Sequence, residues 1–392
     1  MGNPDRVYLV ITPFFPEPGD FHGPYVLDQV KAIARTGDYR VVVIKPFPFW
    51  KKAADYEIDE VKVYRCPSWT LPSNVWPNRL SDLLSAHSLL RKLRNIGIQI
   101  KDIAVCHAHV ASLGFYALAL KKKNPQCLSA VQHHGFDVFG LTDGVFAGKK
   151  WHDRLCIRRG RQICNSVDLN VGVSKKTLDY VKSYPGVSLK REYVLYNGVD
   201  TSKFYPPAVA PKNARFTIGC IGNFWPIKDQ MTLIRAVERI VNSGHNDVFV
   251  RFIGTGVTRS ECEQYVKEHS LTEYISFENE VMHDQLLSFF QSLDLFVLPS
   301  YWEAFGCVYT EAYACGVPFV AVKGQGISEI VPGDGQEKWL IEKGDDNQLA
   351  RLILSFIKDK PQQLLAIDVG IDSLLSSFLS FVNTSGKYDY SQ

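Results

Sequence analysis

Two glutamates lie close to the start of a predicted helix in the second half of the chain. Glu303 lies in the loop after a predicted strand at 295–298, and Glu311, eight positions further on, lies within the predicted helix 308–315. Carboxylates accept hydrogen bonds, so the pair suits a ligand that is rich in hydroxyl groups. An isolated pair of this kind more often consists of a helix cap and a solvated surface residue, so the interpretation depends on the neighbouring residues.

The backbone between the two glutamates provides hydrogen-bond donors. The N–H groups of Phe305, Gly306 and Cys307 fall at the predicted helix N-terminus, where backbone donors have no intrahelical acceptor. They suit phosphate or sugar oxygens, and Gly306 lets such a ligand approach the main chain closely. The segment therefore predicts a site for a ligand that carries both negative charge and hydroxyl groups.

Short β-branched runs alternate with helical stretches along most of the chain. The series begins with a strand at 7–11, a helix near 26–34 and a strand at 41–44, and it starts again at 216–221. This alternation is typical of βαβ units and a parallel sheet. Between the two series, the segment 203–215 contains three prolines and has no apolar period, so it predicts a linker.

These patterns predict an α/β chain with two domains and doubly wound parallel sheets. The first predicted domain is residues 1–205, the second is 206–365, and residues 366–392 form a helical tail that returns to the first domain. Ligands of open parallel sheets bind beyond the carboxyl ends of the strands, which is where the loop with Glu303 lies. Further strands are predicted at 103–106, 128–132, 169–173, 193–195, 248–253, 274–277 and 318–322, and further helices at 175–183, 230–241 and 260–269.

Composition and charge indicate a folded globular protein. Hydrophobic residues make up 46% and charged residues 22% of the chain, and the net charge of +3 is spread without a basic arm, so no nucleic-acid partner is predicted. Met1 to Arg6 does not resemble a signal peptide, and no apolar stretch reaches about 20 residues, so we predict a cytoplasmic location. Nine scattered cysteines without a CxxC pair predict reduced, buried thiols.

Four histidines stand near the ends of two predicted strands, namely His107, His109, His133 and His134. Their spacing along single strands and the lack of an acidic partner argue against a metal cluster. We therefore predict no metal site.

The sequence around the two glutamates resembles a motif of the retaining glycosyltransferases of family four, also called group 1. The motif reads PS-x-x-E-x-F-G…E-A-x-A-x-G-x-P, and its positions are occupied here by Pro299, Ser300, Glu303, Phe305, Gly306, Glu311, Ala312, Ala314, Gly316 and Pro318. The resemblance implies a GT-B fold, in which two Rossmann-like domains face each other across a cleft. It also implies a nucleotide-diphosphate-sugar donor of UDP or GDP type, and transfer with retention and without a metal ion or other cofactor.

The resemblance also implies roles for the residues of this motif. Glu303 would contact hydroxyl groups of the donor sugar, and Glu311 would hold the ribose hydroxyls of the nucleotide. The amides of Phe305, Gly306 and Cys307 would support the sugar and the phosphates.

A second motif of the family, written G-R…K, follows the first strand of the donor domain. Gly222, Asn223 and Lys228 occupy this place, so the resemblance predicts that they bind the donor diphosphate, with Lys228 as the cation. Asn223 departs from the family, where arginine is usual, so one charge-assisted contact is lost. A lone lysine without this context is as often a surface residue.

In the first domain, the resemblance covers a glycine-bearing loop and an H-G-x-D loop. Gly23 stands where the family's backbone approaches the donor phosphate or the acceptor, although His22 replaces one of the two usual glycines. His134 begins the H-G-x-D sequence and would reach the donor sugar near the leaving phosphate, so we predict His134, Lys228 and Glu303 as catalytic residues. Without the resemblance, Gly23 fits a plain turn, and a histidine at a strand end is more often structural.

Two other functions are compatible with the sequence. A non-hydrolysing nucleotide-sugar epimerase would share the two-domain architecture, and a non-catalytic nucleotide-sugar-binding protein would fit the missing arginine at Asn223. A dehydrogenase is disfavoured, because the loop after the first strand has no GxGxxG sequence that opens a helix.

The predicted acceptor is a hydroxyl group of a glycan, a lipid-linked glycan or a small molecule. The segment 47–52 places aromatic residues beside lysines, and Arg154, Arg158 and Arg161 fit one helical face. These residues predict peripheral contact with the inner face of a membrane, and the alternative is a solvated basic face.

Overall fold

The computed structural model describes residues 6–18, 23–69, 79–135, 150–209 and 213–385. The chain forms two compact units, of which the first runs to Tyr196 and also contains the chain from Ile371 onwards. The second unit extends from Asn197 to Gly370. Each unit is an α/β domain with a mainly or entirely parallel sheet, which confirms the predicted fold class.

The sheet of the first unit has eight strands in the order β3-β4-β2-β1-β5-β6-β7-β8. All neighbours pair in parallel except the hairpin of β3 and β4. Every residue of β1 is buried, as expected for a parallel strand that is covered on both faces. The strands are β1 (Val7–Ile11), β2 (Arg40–Pro48), β3 (Tyr56–Ile58), β4 (Val61–Ser68), β5 (Ile103–His109), β6 (Leu128–His133), β7 (Leu169–Gly172) and β8 (Glu192–Val194).

The sheet of the second unit has six parallel strands in the order β11-β10-β9-β12-β13-β14. The strands are β9 (Phe216–Ile221), β10 (Val248–Ile253), β11 (Ile275–Glu278), β12 (Leu295–Val297), β13 (Phe319–Val322) and β14 (Leu340–Ile341). The chain builds the sheet outwards from β9 in one direction and then from β12 in the other. The carboxyl ends of β9 and β12 therefore flank a topological switch point, which is the usual ligand site of such sheets.

Eleven α-helices lie within the described residues, and side-chain caps stabilise the N-termini of some of them. The predicted cap Ser174 accepts a hydrogen bond from the Thr177 N–H group at 3.1 Å, and Asp345 accepts one from Gln348 at 2.7 Å. The helices are α1 (Pro24–Arg35), α2 (Arg79–Asn95), α3 (Gly114–Lys123), α4 (Lys150–Ser166), α5 (Lys175–Lys182), α6 (Gln230–Asn242), α7 (Arg259–Glu268), α8 (Leu286–Gln291), α9 (Cys307–Ala314), α10 (Asp346–Lys358) and α11 (Ile371–Ser385).

The last helix, α11, belongs to the core of the first unit. Leu375 and Phe378 are buried in the same cluster as Tyr8 of β1. On the surface, Arg35 of α1 donates to Asp372 at 2.7 Å. Burial of a large apolar side chain stabilises a fold by about 1.5–3 kcal/mol, so α11 contributes substantially to a unit from which it is distant in sequence.

None of the helices in the described part of the chain is both long enough and apolar enough to cross a membrane. Eight cysteines carry free thiols there, and all of them are buried except Cys307, which is partly exposed. Burial raises the pKa of the Cys66 thiol to about 12, so this thiol stays protonated and unreactive at neutral pH.

Candidate functional site

The loops that follow β9 and β12 meet at the switch point of the second unit. Lys228 Nζ donates to both carboxylate oxygens of Glu303, with a distance of 2.9 Å to Oε2 and a shorter one to Oε1. Both side chains are largely buried. The Ile227 carbonyl accepts from Ser300 Oγ and from the Tyr301 N–H group, each at 3.0 Å, and these bonds hold the two loops together. The lysine and the glutamate predicted as catalytic residues are thus in direct contact.

The loop that carries Lys228 is joined to the end of β10 and the loop after it by backbone hydrogen bonds. The Phe224 N–H group donates to the Thr255 carbonyl at 2.7 Å, and the Gly222 N–H group donates to the Ile253 carbonyl at 3.1 Å. Gly254 has a φ of +143°, and a Cβ atom there would clash with the Gly222 carbonyl. Only glycine fits at this position, which the sequence analysis did not single out. Its signal is the Gly-Thr-Gly sequence directly after a strand.

The main chain of Glu303 is clamped by the loop after β13. Its N–H group donates to Gln325 Oε1 at 2.9 Å, and its carbonyl accepts from the Gly326 N–H group at 3.3 Å. A Cβ atom at Gly326 would clash with the Ala304 carbonyl, so the two loops touch through their backbones. Gln325 is therefore a positioning residue for Glu303 that no motif indicated.

Helix α9 begins at Cys307 without a side-chain cap. Gly306 takes the cap position with a φ of +92°, and a Cβ atom there would lie 2.7 Å from the Tyr309 ring. The Tyr309 hydroxyl donates to the Leu298 carbonyl at 2.7 Å, which fixes the helix against the end of β12. The amides of Phe305 to Cys307 consequently lie at the N-terminal end of α9, beside Glu303.

Glu311 is buried within α9, so the alternative interpretation as a solvated surface residue is wrong. Its Oε1 atom lies 3.1 Å from His283 Nε2, and its Oε2 atom is buried and has no hydrogen-bond partner among the described residues. An unsatisfied buried acceptor costs about 1–3 kcal/mol, so a donor hydroxyl group of a ligand would be favourable here. His283 has no motif around it and was not predicted.

In the first unit, His134 lies directly after β6 and is partly buried among aromatic rings. Its Nε2 atom is 3.0 Å from His109 Nδ1, and its ring packs against Tyr25 with a centroid distance of 5.2 Å. Burial, assisted by the charges of His107 and His133, lowers the pKa of His134 to about 3. The imidazole is neutral at physiological pH and serves as a hydrogen-bonding group, not as a cation.

Three more histidines, His107, His109 and His133, lie near His134 and are buried. His107 Nδ1 lies 2.8 Å from the Tyr8 hydroxyl, and His133 Nε2 lies 3.0 Å from Asn170 Oδ1. Burial lowers the pKa of His107 to about 3 and of His133 to about 4, and it holds that of His109 well below its usual value. Among the residues that the structure describes, no group of three or more His, Cys, Asp or Glu side chains is arranged to hold a metal ion.

Gly23 takes the cap position of α1 with a φ of +92°. A Cβ atom there would lie 2.7 Å from the carbonyl carbon and oxygen of Phe14, so the loop after β1 requires glycine for its own packing.

Some residues named in the sequence analysis lie outside the described residues. These are His22, Asp137 at the end of the H-G-x-D sequence, and the side chain of Arg154. In the second unit, Asn223 is exposed at the rim of the loop that carries Lys228.

Gly222 offers a test of ligand approach, because its surroundings leave room for a side chain. A Cβ atom would lie 3.7 Å from Leu298 Cδ1 and 3.9 Å from Lys228 Cδ, which is ordinary van der Waals contact. We predict that Gly222→Ala leaves the melting temperature nearly unchanged but raises the KM for the ligand roughly tenfold, a loss of about 1.4 kcal/mol of binding. The matched control Gly254→Ala clashes with backbone and should lower the melting temperature. An unchanged KM in a folded Gly222→Ala protein would contradict ligand approach at this glycine.

Two family models together match most of the chain. The model described as glycosyl transferases group 1 matches residues 202–367. The model described as glycosyltransferase family 4 matches residues 23–203. The two matched segments overlap only at residues 202–203, and the segment matched by the group 1 model contains all the residues of the site around Lys228.

Sequence relatives and solved structures that are similar to this chain also include glycosyltransferases. An uncharacterized glycosyltransferase of Methanocaldococcus jannaschii is 28% identical over 283 residues, which are 72% of each chain. A GDP-mannose-dependent monoacylated alpha-(1-6)-phosphatidylinositol monomannoside mannosyltransferase of Corynebacterium glutamicum is 27% identical over 217 residues, and the match spans 51% of this chain and only 55% of the relative. The structure of Anabaena HepE in complex with UDP and glucose superposes with a TM-score of 0.68 at 18% identity, over 96% of this chain and 99% of that one. At this identity the superposition demonstrates a shared fold alone.

Proposed function

Since this chain belongs to glycosyltransferase family four and has the GT-B fold, we propose that it transfers a sugar with retention from a nucleotide-diphosphate-sugar to an acceptor hydroxyl group. The observation that carries the proposal is the contact between Lys228 and Glu303 at the switch point of the second unit. We assign donor binding to residues 206–365 and acceptor binding to residues 1–205. The acceptor classes are glycans, lipid-linked glycans and small molecules, and polysaccharide biosynthesis is the process that fits them.

The main energetic task in this reaction is to stabilise the leaving diphosphate. Negative charge grows on the leaving oxygen as the sugar ring becomes cation-like. Lys228 and the N-terminus of α9 supply fixed positive potential at this point, and one such donor lowers a barrier by roughly 3 kcal/mol. With this potential in place, the proposed reaction needs no metal ion.

The ion pair of Lys228 and Glu303 has to rearrange when the donor binds. The diphosphate attracts the ammonium group, and Glu303 then becomes available to accept hydrogen bonds from sugar hydroxyls. The ammonium group exchanges a carboxylate for the diphosphate, and the carboxylate exchanges the ammonium group for hydrogen bonds from neutral hydroxyl groups, so neither charge is left buried without a polar partner. The pair thus keeps both functional groups in place before the donor arrives.

We propose that Glu311 accepts a hydrogen bond from a ribose hydroxyl of the donor nucleotide. His283 occupies its Oε1 atom, and the unpartnered Oε2 atom is the one available to the ligand. A ribose contact is common to UDP-type and GDP-type donors. The Corynebacterium relative is GDP-mannose-dependent and HepE was solved with UDP, so both donor types belong in the assay.

His134 is proposed to contact the donor sugar near the leaving phosphate as a neutral imidazole. The bond between His109 Nδ1 and His134 Nε2 orients the ring. His109 is thereby a positioning residue, and Gly23 keeps the loop after β1 against Phe14. A neutral imidazole at this place does not repel the cation-like sugar ring.

Lipid-linked acceptors would require that the protein works at a membrane surface, and we propose a cytoplasmic location that includes the inner membrane face. The name of the Corynebacterium relative describes a phosphatidylinositol mannoside as its acceptor. The predicted basic face of α4 contributes little to this proposal, because Arg161 donates to the Pro185 carbonyl at 3.2 Å. Arg158 alone remains exposed in the described part of that face.

The proposal is tested by incubating the purified protein with UDP-sugars and GDP-sugars, with and without glycan and lipid-linked acceptors. We expect a product only when acceptor is present, and an anomeric NMR signal of the same configuration as in the donor. Addition of EDTA should leave the rate unchanged. Donor conversion without acceptor would indicate an epimerase, thermal stabilisation without turnover would indicate a binding protein, and an inverted linkage would contradict retention.

A further inference from the structure

Three aromatic side chains form a cluster on the surface of the first unit. Phe49 and Trp50 follow β2, and Trp69 follows β4. The Phe49 ring stacks on the Trp69 ring at a centroid distance of 4.3 Å, and the Trp50 ring meets Phe49 edge-on at 5.1 Å. Phe49 is 40% exposed and Trp50 45% exposed. Large aromatic groups that cluster in contact with water usually mark an interaction surface.

Helix α2 presents leucines to water on one face. Leu80, Leu83 and Leu84 have the spacing i, i+3, i+4 and therefore share a face, on which Leu80 is 64% exposed and Leu83 is 66% exposed. The opposite face packs into the core through Leu89 and Leu93. A surface helix normally carries polar residues on its outer face. The outer face of α2 is apolar over its first two turns.

The aromatic cluster and the leucines of α2 are continuous. The Trp69 N–H group donates to Ser85 Oγ at 2.8 Å, and its indole N–H group donates to Ser88 Oγ at 3.3 Å. Ser88 lies one turn after Leu84 and donates to its carbonyl. We call the combined region the aromatic–leucine surface; it consists of Phe49, Trp50, Trp69, Leu80, Leu83 and Leu84.

Exposed basic residues border the aromatic–leucine surface. Lys51 and Lys52 follow Trp50, Arg79 begins α2, and Arg91 lies further along the same helix. The nearby acids are neutralised within the fold, since Asp55 pairs with Lys92 at 2.8 Å and Asp82 pairs with Arg159. The border is therefore positive.

Apolar and aromatic groups with lysine and arginine around them are the composition of surfaces that lie at the headgroup level of a bilayer. We infer that the aromatic–leucine surface docks the first unit on a membrane that contains anionic lipids. The docking is peripheral, with the aromatic and leucine side chains at the boundary of the acyl chains and the basic residues among the headgroups. This inference goes beyond sugar transfer, because it does not depend on the acceptor.

The test is co-sedimentation of the full chain with vesicles of phosphatidylcholine, with and without phosphatidylglycerol, at low and high salt. We expect binding to the anionic vesicles that weakens with salt. The variants Trp50→Ser and Leu83→Ser should each reduce the vesicle affinity about tenfold, and Lys51→Glu with Lys52→Glu should reduce it on anionic vesicles by at least roughly fivefold per lysine. Matched controls are Val257→Ser and Leu364→Ser, which remove equally exposed apolar residues of the second unit and should change nothing.

Two further measurements make the outcome unambiguous. Light scattering after size exclusion shows whether Trp50→Ser changes the oligomeric state; a loss of dimers would assign the surface to a second copy of the chain and overturn the proposal. Absence of vesicle binding, or equal losses in the control variants, would overturn it as well. Thermal stabilisation by UDP and GDP is recorded on the same proteins, so failure of membrane docking is separated from failure of the proposed sugar transfer.

Discussion

Replacement of Lys228 by alanine is expected to reduce turnover by about 10²–10³-fold, the loss typical of a single preorganised donor aimed at a developing negative charge. The reason is that the ammonium group is the only cation of the loop after β9 within the described site, since Asn223 stands where the family has arginine. Because the interaction grows as the diphosphate leaves, kcat should fall more than the donor KM rises. Steady-state kinetics with the donor and acceptor identified by the product assay provide the measurement.

The control for this variant follows from the ion pair. Removal of Lys228 leaves the Glu303 carboxylate largely buried without its cation, which destabilises the fold independently of catalysis. The double variant Lys228→Ala with Glu303→Gln removes both charges and should recover the melting temperature but not the turnover. Near-normal turnover of either folded variant would refute the role of Lys228.

The first unit is expected to be unstable in mild acid, because it holds three buried histidines, His107, His109 and His133, and the partly buried His134. Burial depresses their folded-state pKa values, to about 3 for His107 and His134 and about 4 for His133, while an unfolded chain protonates near 6.5. Below that pH the unfolded state binds more protons, so the contribution of these residues to stability is complete above about 6.5 and is lost as the pH falls. Each proton contributes about 1.4 kcal/mol per pH unit, so the slope approaches roughly 5 kcal/mol per pH unit.

Urea denaturation at a series of pH values between 7 and 4 measures this slope, with pulsed hydrogen exchange to follow peptides of β5 and β6. Peptides of β9 and β12 in the second unit serve as the internal reference. His133→Gln keeps a hydrogen-bonding group beside Asn170 but removes one titrating site, so it should lower the slope by about a quarter. An unfolding midpoint that does not depend on pH in this range would contradict buried neutral histidines.

The sequence predicted most of the strands well, because a parallel strand that is buried on both faces is a continuous β-branched run. Strands β1, β9 and β10 have the predicted bounds, and the other predicted strands differ by a few residues. The hairpin of β3 and β4 was not predicted, since β3 has three residues that are only partly buried or exposed. Helix α2 was missed because its leucines lie on both faces, so no single apolar stripe marks the helical period.

The candidate site was predictable where its residues are close in sequence or belong to a motif. Strand order at the switch point explains why Lys228 and Glu303 meet, and a sequence does not reveal strand order directly. His283 and Gln325 reach Glu311 and Glu303 by hydrogen bonds from other loops, with no local signal of their own. Their discovery depended on tertiary structure. The roles assigned to the site residues remain predictions for the kinetic experiments.

The position of α11 has a consequence for how the protein is made. The ribosome synthesises residues 7–196 long before residue 371. The first unit therefore lacks α11 until the whole second unit has been synthesised. Until then the apolar surface that Leu375 and Phe378 cover, which includes Tyr8, is exposed to other nascent chains and to chaperones. The first unit therefore completes its core only after the second unit has been synthesised, whereas the continuous second unit is free to fold first.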